Sequence, residues 1–127
     1  MIDQETLNGL FNKYEGPTVT ACNRHDDAVV INLYVDDNLR WFQGHFPEQP
    51  VLPGIVQIDW AGTLARALMV GDNSFKQLIN IKFKTMVMPN TAMQLELTYQ
   101  ADKGSLKFHF FNENTSFSQG SFKFIPL

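Results

Sequence analysis

Within GHFPEQPVLPGIVQIDW, residues 44–60, a histidine, a glycine and an aspartate stand at positions 45, 54 and 59. His45 heads a loop stiffened by three prolines, Gly54 closes that loop, and Asp59 follows five residues further on in an apolar run. An imidazole titrates near neutrality, so a rigidly held His45 is suited to take a proton from carbon as general base. Gly54 stands where a helix would begin, and the unpaired N–H groups of a first helical turn attract an oxygen that is gaining negative charge. Asp59, on an otherwise apolar helix, would be kept protonated by burial and could give that proton to a departing hydroxyl. Together the three suit loss of water from a 3-hydroxyacyl thioester. His45 would remove the α-proton, the helix start would hold the enolate-like oxygen, and Asp59 would protonate the leaving group. Plainer roles compete: Asp59 could bond a neighbouring backbone group or Arg66, and a loop histidine is commonly a surface or packing residue.

Such residues need elements to position them. The run IVQIDWAGTLARALMV, residues 55–70, is too long for an ordinary strand, and its apolar residues surround the helix circumference, which predicts a buried central helix. Ile2, Leu7, Leu10 and Phe11 predict a short amphipathic helix, stopped by Gly16 and Pro17. TVTAC and AVVINLYV read as strands, the second placing Val29, Ile31, Leu33 and Val35 on one face. Four more alternating segments, near 77–87, 92–99, 105–111 and 116–125, predict an antiparallel meander. In the first of them Ile79, Ile81 and Phe83 oppose Lys82 and Lys84. Hairpin turns are expected at 102–104 and 112–114, and the phase slip between Phe117 and Phe122 across Gly120 predicts a bulge. The pattern is α+β, one apolar helix embedded in an antiparallel sheet of five or six strands.

Bulk properties narrow the function further. The 127 residues suit one domain, 1–127, and 44% hydrophobic with 13% aromatic content suits a packed core. A lone cysteine, Cys22, leaves no internal disulfide framework or multi-cysteine metal site and suits a reducing compartment. The first residues are acidic where a signal peptide would be basic, and no long apolar run follows, so a cytoplasmic protein without a membrane anchor is expected. A net charge of −3 argues against nucleic acid as a partner. His25 and His109 lack a third partner at ligand spacing, so no metal site is expected. No Gly-x-Ser-x-Gly elbow is present and Thr63 lacks a nearby base, which disfavours covalent acyl transfer. Lys82, Lys84, Arg66 and Arg40 could form a patch for an acidic partner, although solvated strand and helix ends explain them as well.

The run from residue 44 also resembles a known signature. In the hotdog-fold 3-hydroxyacyl-acyl carrier protein dehydratases a GHFPxxPxxPG loop leads into the central helix, and an acid follows the histidine by fourteen positions, as Asp59 follows His45. The likeness is specific over residues 41–61, and INIKFKTMVMPNTAMQLEL is similar to the strand, proline turn and strand that come next in that family. It implies a hotdog fold, a long central helix wrapped by five or six antiparallel strands. It implies His45 as base, Asp59 as acid and Gly54 as the backbone donor to the thioester carbonyl. It further implies an acyl carrier protein as partner, no cofactor beyond the phosphopantetheine arm that carries the substrate, and a homodimer or higher homo-oligomer pairing His45 of one subunit with Asp59 of the other. Asp59 resembles the branch that also isomerises the double bond, but Ile55 replaces that branch's cysteine, and Thr63 replaces the family's usual glutamine. A specialised dehydratase of a secondary pathway such as aryl-polyene synthesis is the better likeness. A hotdog acyl-thioesterase, with Asp59 activating water, and a non-catalytic acyl-thioester binding subunit are the alternatives.

Overall fold

The computed structural model of the protein describes residues 3–43 and 50–125. In chain order its elements are α1 (Gln4–Asn8), β1 (Thr18–His25), β2 (Ala28–Val35), a 3-10 turn (Arg40–Phe42), α2 (Gly54–Ala65), a π-helical turn (Arg66–Val70), β3 (Phe75–Phe83), β4 (Thr91–Gln100), a second 3-10 turn (Ala101–Lys103), β5 (Ser105–Asn112) and β6 (Thr115–Phe124). The strands form one six-stranded antiparallel sheet in the order β1-β2-β4-β5-β6-β3.

Strict alternation builds its inner face. Val29, Ile31, Leu33 and Val35 of β2 are buried as predicted, and the first three pair in register with the buried Leu97, Leu95 and Met93 of β4. A slip of one residue would turn all of them to solvent, so the pattern itself holds the register. Leu106, Phe108 and Phe110 of β5 extend the face, and Phe108 packs on Phe122 of β6 with ring centroids 5.5 Å apart. Helix α2 lies on this surface through Gln57, Trp60, Ala61 and Leu64, spaced at i, i+3, i+4 and i+7.

The segment before the proline loop is tied down from two sides. The indole N–H groups of Trp41 and Trp60 both donate to the carbonyl of Glu15, at 2.9 and 3.0 Å, and Arg40 N–H donates to Tyr14 O at 2.8 Å. Tyr14 takes the left-handed conformation, with φ 69°, to present these two carbonyls.

Three sequence expectations change. Only β4, β5 and β6 form the meander, because β3 lies at the far edge of the sheet and pairs with β6. Alternation assigns a strand's faces but not its neighbour, and residues 84–90 carry the chain across to β4. The bulge is double. Phe117 is the extra residue of β6 against β5, while Asn80 and Ile81 of β3 together oppose Gly120. Asn80 absorbs the kink at φ 55°, and a side chain at Gly120 would collide with Ile81. Finally, α2 with its π-helical turn spans the expected run, but the sheet covers one face only. Ile55, Asp59 and Arg66 stand on the open face, because the second apolar stripe of the helix points away from the strands.

Candidate functional site

The first turn of α2 is the part of the site nearest the proline loop. Pro53 precedes it with no side-chain cap, and the N–H groups of Val56 and Gln57 turn back to Pro53 O at 3.1 and 3.3 Å. The N–H groups of Gly54 and Ile55 precede those bonds, at the positive end of the helix dipole. The Phe83 ring from the end of β3 lies directly over Gly54, so that a Cβ there would stand 2.5 Å from ring Cζ. Glycine therefore lets the ring and the helix start approach. Beside them runs an open groove of about 420 Å³, bordered by Leu52, Gly54, Ile55, Phe83 and Lys84.

Asp59 lines a second groove, of about 460 Å³. Ile55, Ile58 and Thr63 from α2 form one wall with Asp59, while Phe75 and Leu78 of β3 and Phe122 and Phe124 of β6 form the other. Ile55 borders both grooves and is 70% exposed. The carboxylate is also exposed, so the burial expected from the sequence is not reached within one protomer. A pairing of Asp59 with Arg66 is not what the structure contains. Arg66 Nη1 donates to Gly71 O and Asn73 O, both at 2.9 Å, and its guanidinium sits 5.3 Å from the centre of the Phe124 ring. Among the described residues the only ion pair is Arg40 with Glu15, at 3.6 Å.

His45 falls at 44–49, outside the described residues, so the structure brings together Gly54 and Asp59 but does not describe the third member. The chain is anchored before residue 44 by Trp41 and after residue 49 by the Leu52 N–H bond to Val87 O, 2.8 Å.

Sequence reading passed over Gln57 and Ser118. Gln57 is 3% exposed and Ser118 fully buried; Ser118 Oγ donates to Gln57 Oε1 at 2.7 Å, and Gln57 Nε2 donates to Leu52 O at 3.4 Å. A signal did exist: position 57 falls on the same helical stripe as Trp60, Ala61 and Leu64, where an amide needs a partner.

The remaining candidates have other occupations. His109 Nε2 and Ser116 Oγ stand 2.8 Å apart, and the imidazole stacks on Phe111. Burial lowers the His109 pKa, with Glu96 opposing that shift and Lys84 adding to it. His25 ends β1, with two strands between it and β5. Among the described residues no group of three or more potential metal ligands occurs, and no helix is long and apolar enough to cross a membrane. Cys22 is half-buried in β1, and burial pushes its thiol pKa up, away from the reactive thiolate. Of the four expected cations, Arg40 lies over Trp41 beside Glu15, Arg66 closes the end of α2, and Lys82 and Lys84 flank Phe83 at the end of β3.

A family model described as ApeI-like, ApeI dehydratase, matches residues 21–121. The chain is 36% identical over 116 residues to the 3-hydroxyacyl-[acyl-carrier-protein] dehydratase FabZ of Sinorhizobium fredii, covering 84% of this chain and 75% of that one. It is 35% identical over 74 residues to the FabZ of Clostridium novyi, 53% of this chain and 52% of that protein, so it spans between half and three quarters of these curated relatives. Among solved structures it is similar to the dehydratase heterocomplex ApeI:P from Xenorhabdus doucetiae, with a TM-score of 0.79 and 33% identity over 85% of this chain and 96% of that one. The architecture they share is the hotdog fold, with its single long helix against an antiparallel sheet.

Proposed function

We propose, from the premise that this chain belongs to the ApeI-like dehydratase family, that it removes water from a (3R)-hydroxyacyl thioester to give the trans-2-enoyl thioester. The observation that carries this reading is the placement of Asp59 in an apolar groove that meets the groove of the helix start at Ile55. Gly54 and Asp59 are separated by about 7.5 Å of helix rise, a span covered by a hydrogen bond from the Gly54 N–H, the stretch from thioester carbonyl to β-hydroxyl, and the Asp59 side chain with its own hydrogen bond. In the proposed reaction His45 takes the α-proton, the C–H pair becomes the new double bond, and the β C–O bond breaks as Asp59 supplies the proton that completes water. The Gly54 N–H stabilises charge on the carbonyl oxygen, a contribution of about 2.7–4 kcal/mol for one such donor. His45 returns its proton to Asp59 or solvent. This chemistry asks for no metal or organic cofactor of the protein's own.

An acid that must stay protonated needs shelter from water, and one protomer leaves Asp59 open. The shelter we propose is a second copy. Among the described residues strand β3 bonds to β6 on one side only, and Phe75, Leu78 and Phe83 on it are exposed, next to Met86, Met88 and Ile55. An edge strand that exposes Phe75, Leu78 and Phe83 between Lys76, Gln77 and Lys82 is a template for pairing with another chain. The similar Xenorhabdus assembly is named as a heterocomplex, so a related dehydratase chain is the other occupant to test. The acyl group would arrive on the phosphopantetheine arm of an acyl carrier protein in the cytoplasm. Lys84 borders the Gly54 groove and suits an acidic carrier surface.

The test is mass spectrometry of a 3-hydroxyacyl-acyl carrier protein incubated with wild type, His45→Ala and Asp59→Asn. Wild type should remove one water, and each variant should lose most of that rate. Release of the free acid would assign the protein to the thioesterases, and unchanged substrate in every arm would refute the dehydratase reading.

A further inference from the structure

We infer that Gln57 is a positioning residue, which through Ser118 and Leu52 fixes the first turn of α2, and hence the Gly54 N–H, against the sheet. The inference rests on the dehydratase reading of that turn. A helix start used to hold an oxyanion has to stay put, yet Pro53 gives this one no side-chain cap. The anchor comes instead from inside the helix. Gln57 Oε1 accepts from Ser118 Oγ at 2.7 Å, and Gln57 Nε2 donates to Leu52 O at 3.4 Å, so one amide joins β6, the end of the proline loop and the helix. Each end of this link is itself held. Leu52 N–H donates to Val87 O at 2.8 Å, which adds the connection between β3 and β4. Ser118 directly follows the bulged Phe117, whose carbonyl accepts from Lys84 and Thr85 N–H at 2.8 and 3.2 Å. Those two residues continue from Phe83, whose ring covers Gly54. The links thus tie the helix start to β6, to the end of the proline loop and to the connection between β3 and β4.

Stability alone does not call for this pair. A buried amide and hydroxyl can be replaced together by apolar groups of the same shape at little net cost, whereas removal of one partner leaves the other unsatisfied. What an apolar pair would not supply is direction: it would fill the same volume without fixing Leu52 O or the pitch of the first turn.

The experiment is a double-mutant cycle on the intact protein with Gln57→Met, Ser118→Ala and the two combined, read as kcat and KM for water loss from 3-hydroxyacyl-acyl carrier protein and as melting temperature. Positioning predicts a fall in kcat of up to about 10²-fold in each single variant with KM nearly unchanged. The double variant should lose no more than the worse single one, since both act through one contact. Amide hydrogen exchange gives a second readout that needs no turnover. The N–H groups of Val56 and Gln57 should exchange faster in Ser118→Ala while those of β2 do not, and this decides the matter if Gln57→Met fails to fold. Unchanged kcat in folded variants, losses that multiply in the double variant, or unchanged exchange would overturn the inference. A wild type that removes no water would refute the dehydratase reading instead, and the exchange data would still decide the anchor.

Discussion

At the scale of single residues, an imidazole and a carboxyl show how far a side chain's neighbours decide its use. Asp59 stands exposed in an apolar groove, ready to be covered, whereas His109 is already half-covered on its strand beside Ser116 and Phe111. Burial lowers the His109 pKa below its ordinary 6.5, so the unfolded chain binds a proton that the folded one resists. The stability tied to the neutral ring is therefore complete above the unfolded value and is lost as pH falls through the folded one. Between about pH 7 and pH 5, melting temperature should fall less steeply in His109→Gln than in wild type, and equal slopes would refute this. The effect should be small because much of the ring is solvated. At this scale residue type was legible and environment was not. Asp59 reads from the sequence as buried because its helical neighbours are apolar, but those neighbours divide between the sheet and the open side.

Elements follow pattern more closely than single residues do, and their exceptions are local. The buried faces of β2 and β4 and both hairpin turns are readable from alternation and turn residues, since each depends on neighbours in sequence. The position of β3 is not readable in that way, because its pairing with β6 is set by where α2 delivers the chain. The slip near Gly120 is likewise visible in sequence, but only the fold shows that it serves two strand pairs. Gly120→Ala should destabilise the protein by about 1–3 kcal/mol, because the new methyl meets Ile81 across the bulge. Asn80→Gly should be close to neutral, since glycine accepts the left-handed φ of 55°. Denaturant melts of the two variants check both, and a reversed order would refute the bulge argument.

For the whole molecule, the open edge at β3 and the open face of α2 point the same way. Both expose large apolar residues, Phe75, Leu78 and Phe83 on the strand and Ile55 on the helix, both border the Asp59 groove, and neither exposure is explained by the packing of one protomer. Sequence alternation marks β3 as an ordinary half-buried strand, so its role as an edge became evident only with the sheet order. Leu78→Lys places a charge on that edge and should shift the protein to monomer in sedimentation equilibrium while abolishing water loss. A Leu78→Lys protein that stays dimeric and active would place the interface elsewhere.

The tie between Glu15 and the two indoles has an optical consequence. Trp41 and Trp60 are the only tryptophans in the chain, and both give their N–H to the same carbonyl. Nearly all intrinsic fluorescence therefore originates at one spot, where the segment entering the proline loop meets the helix one residue past Asp59. Emission wavelength and quenching become an unlabelled optical probe of that junction.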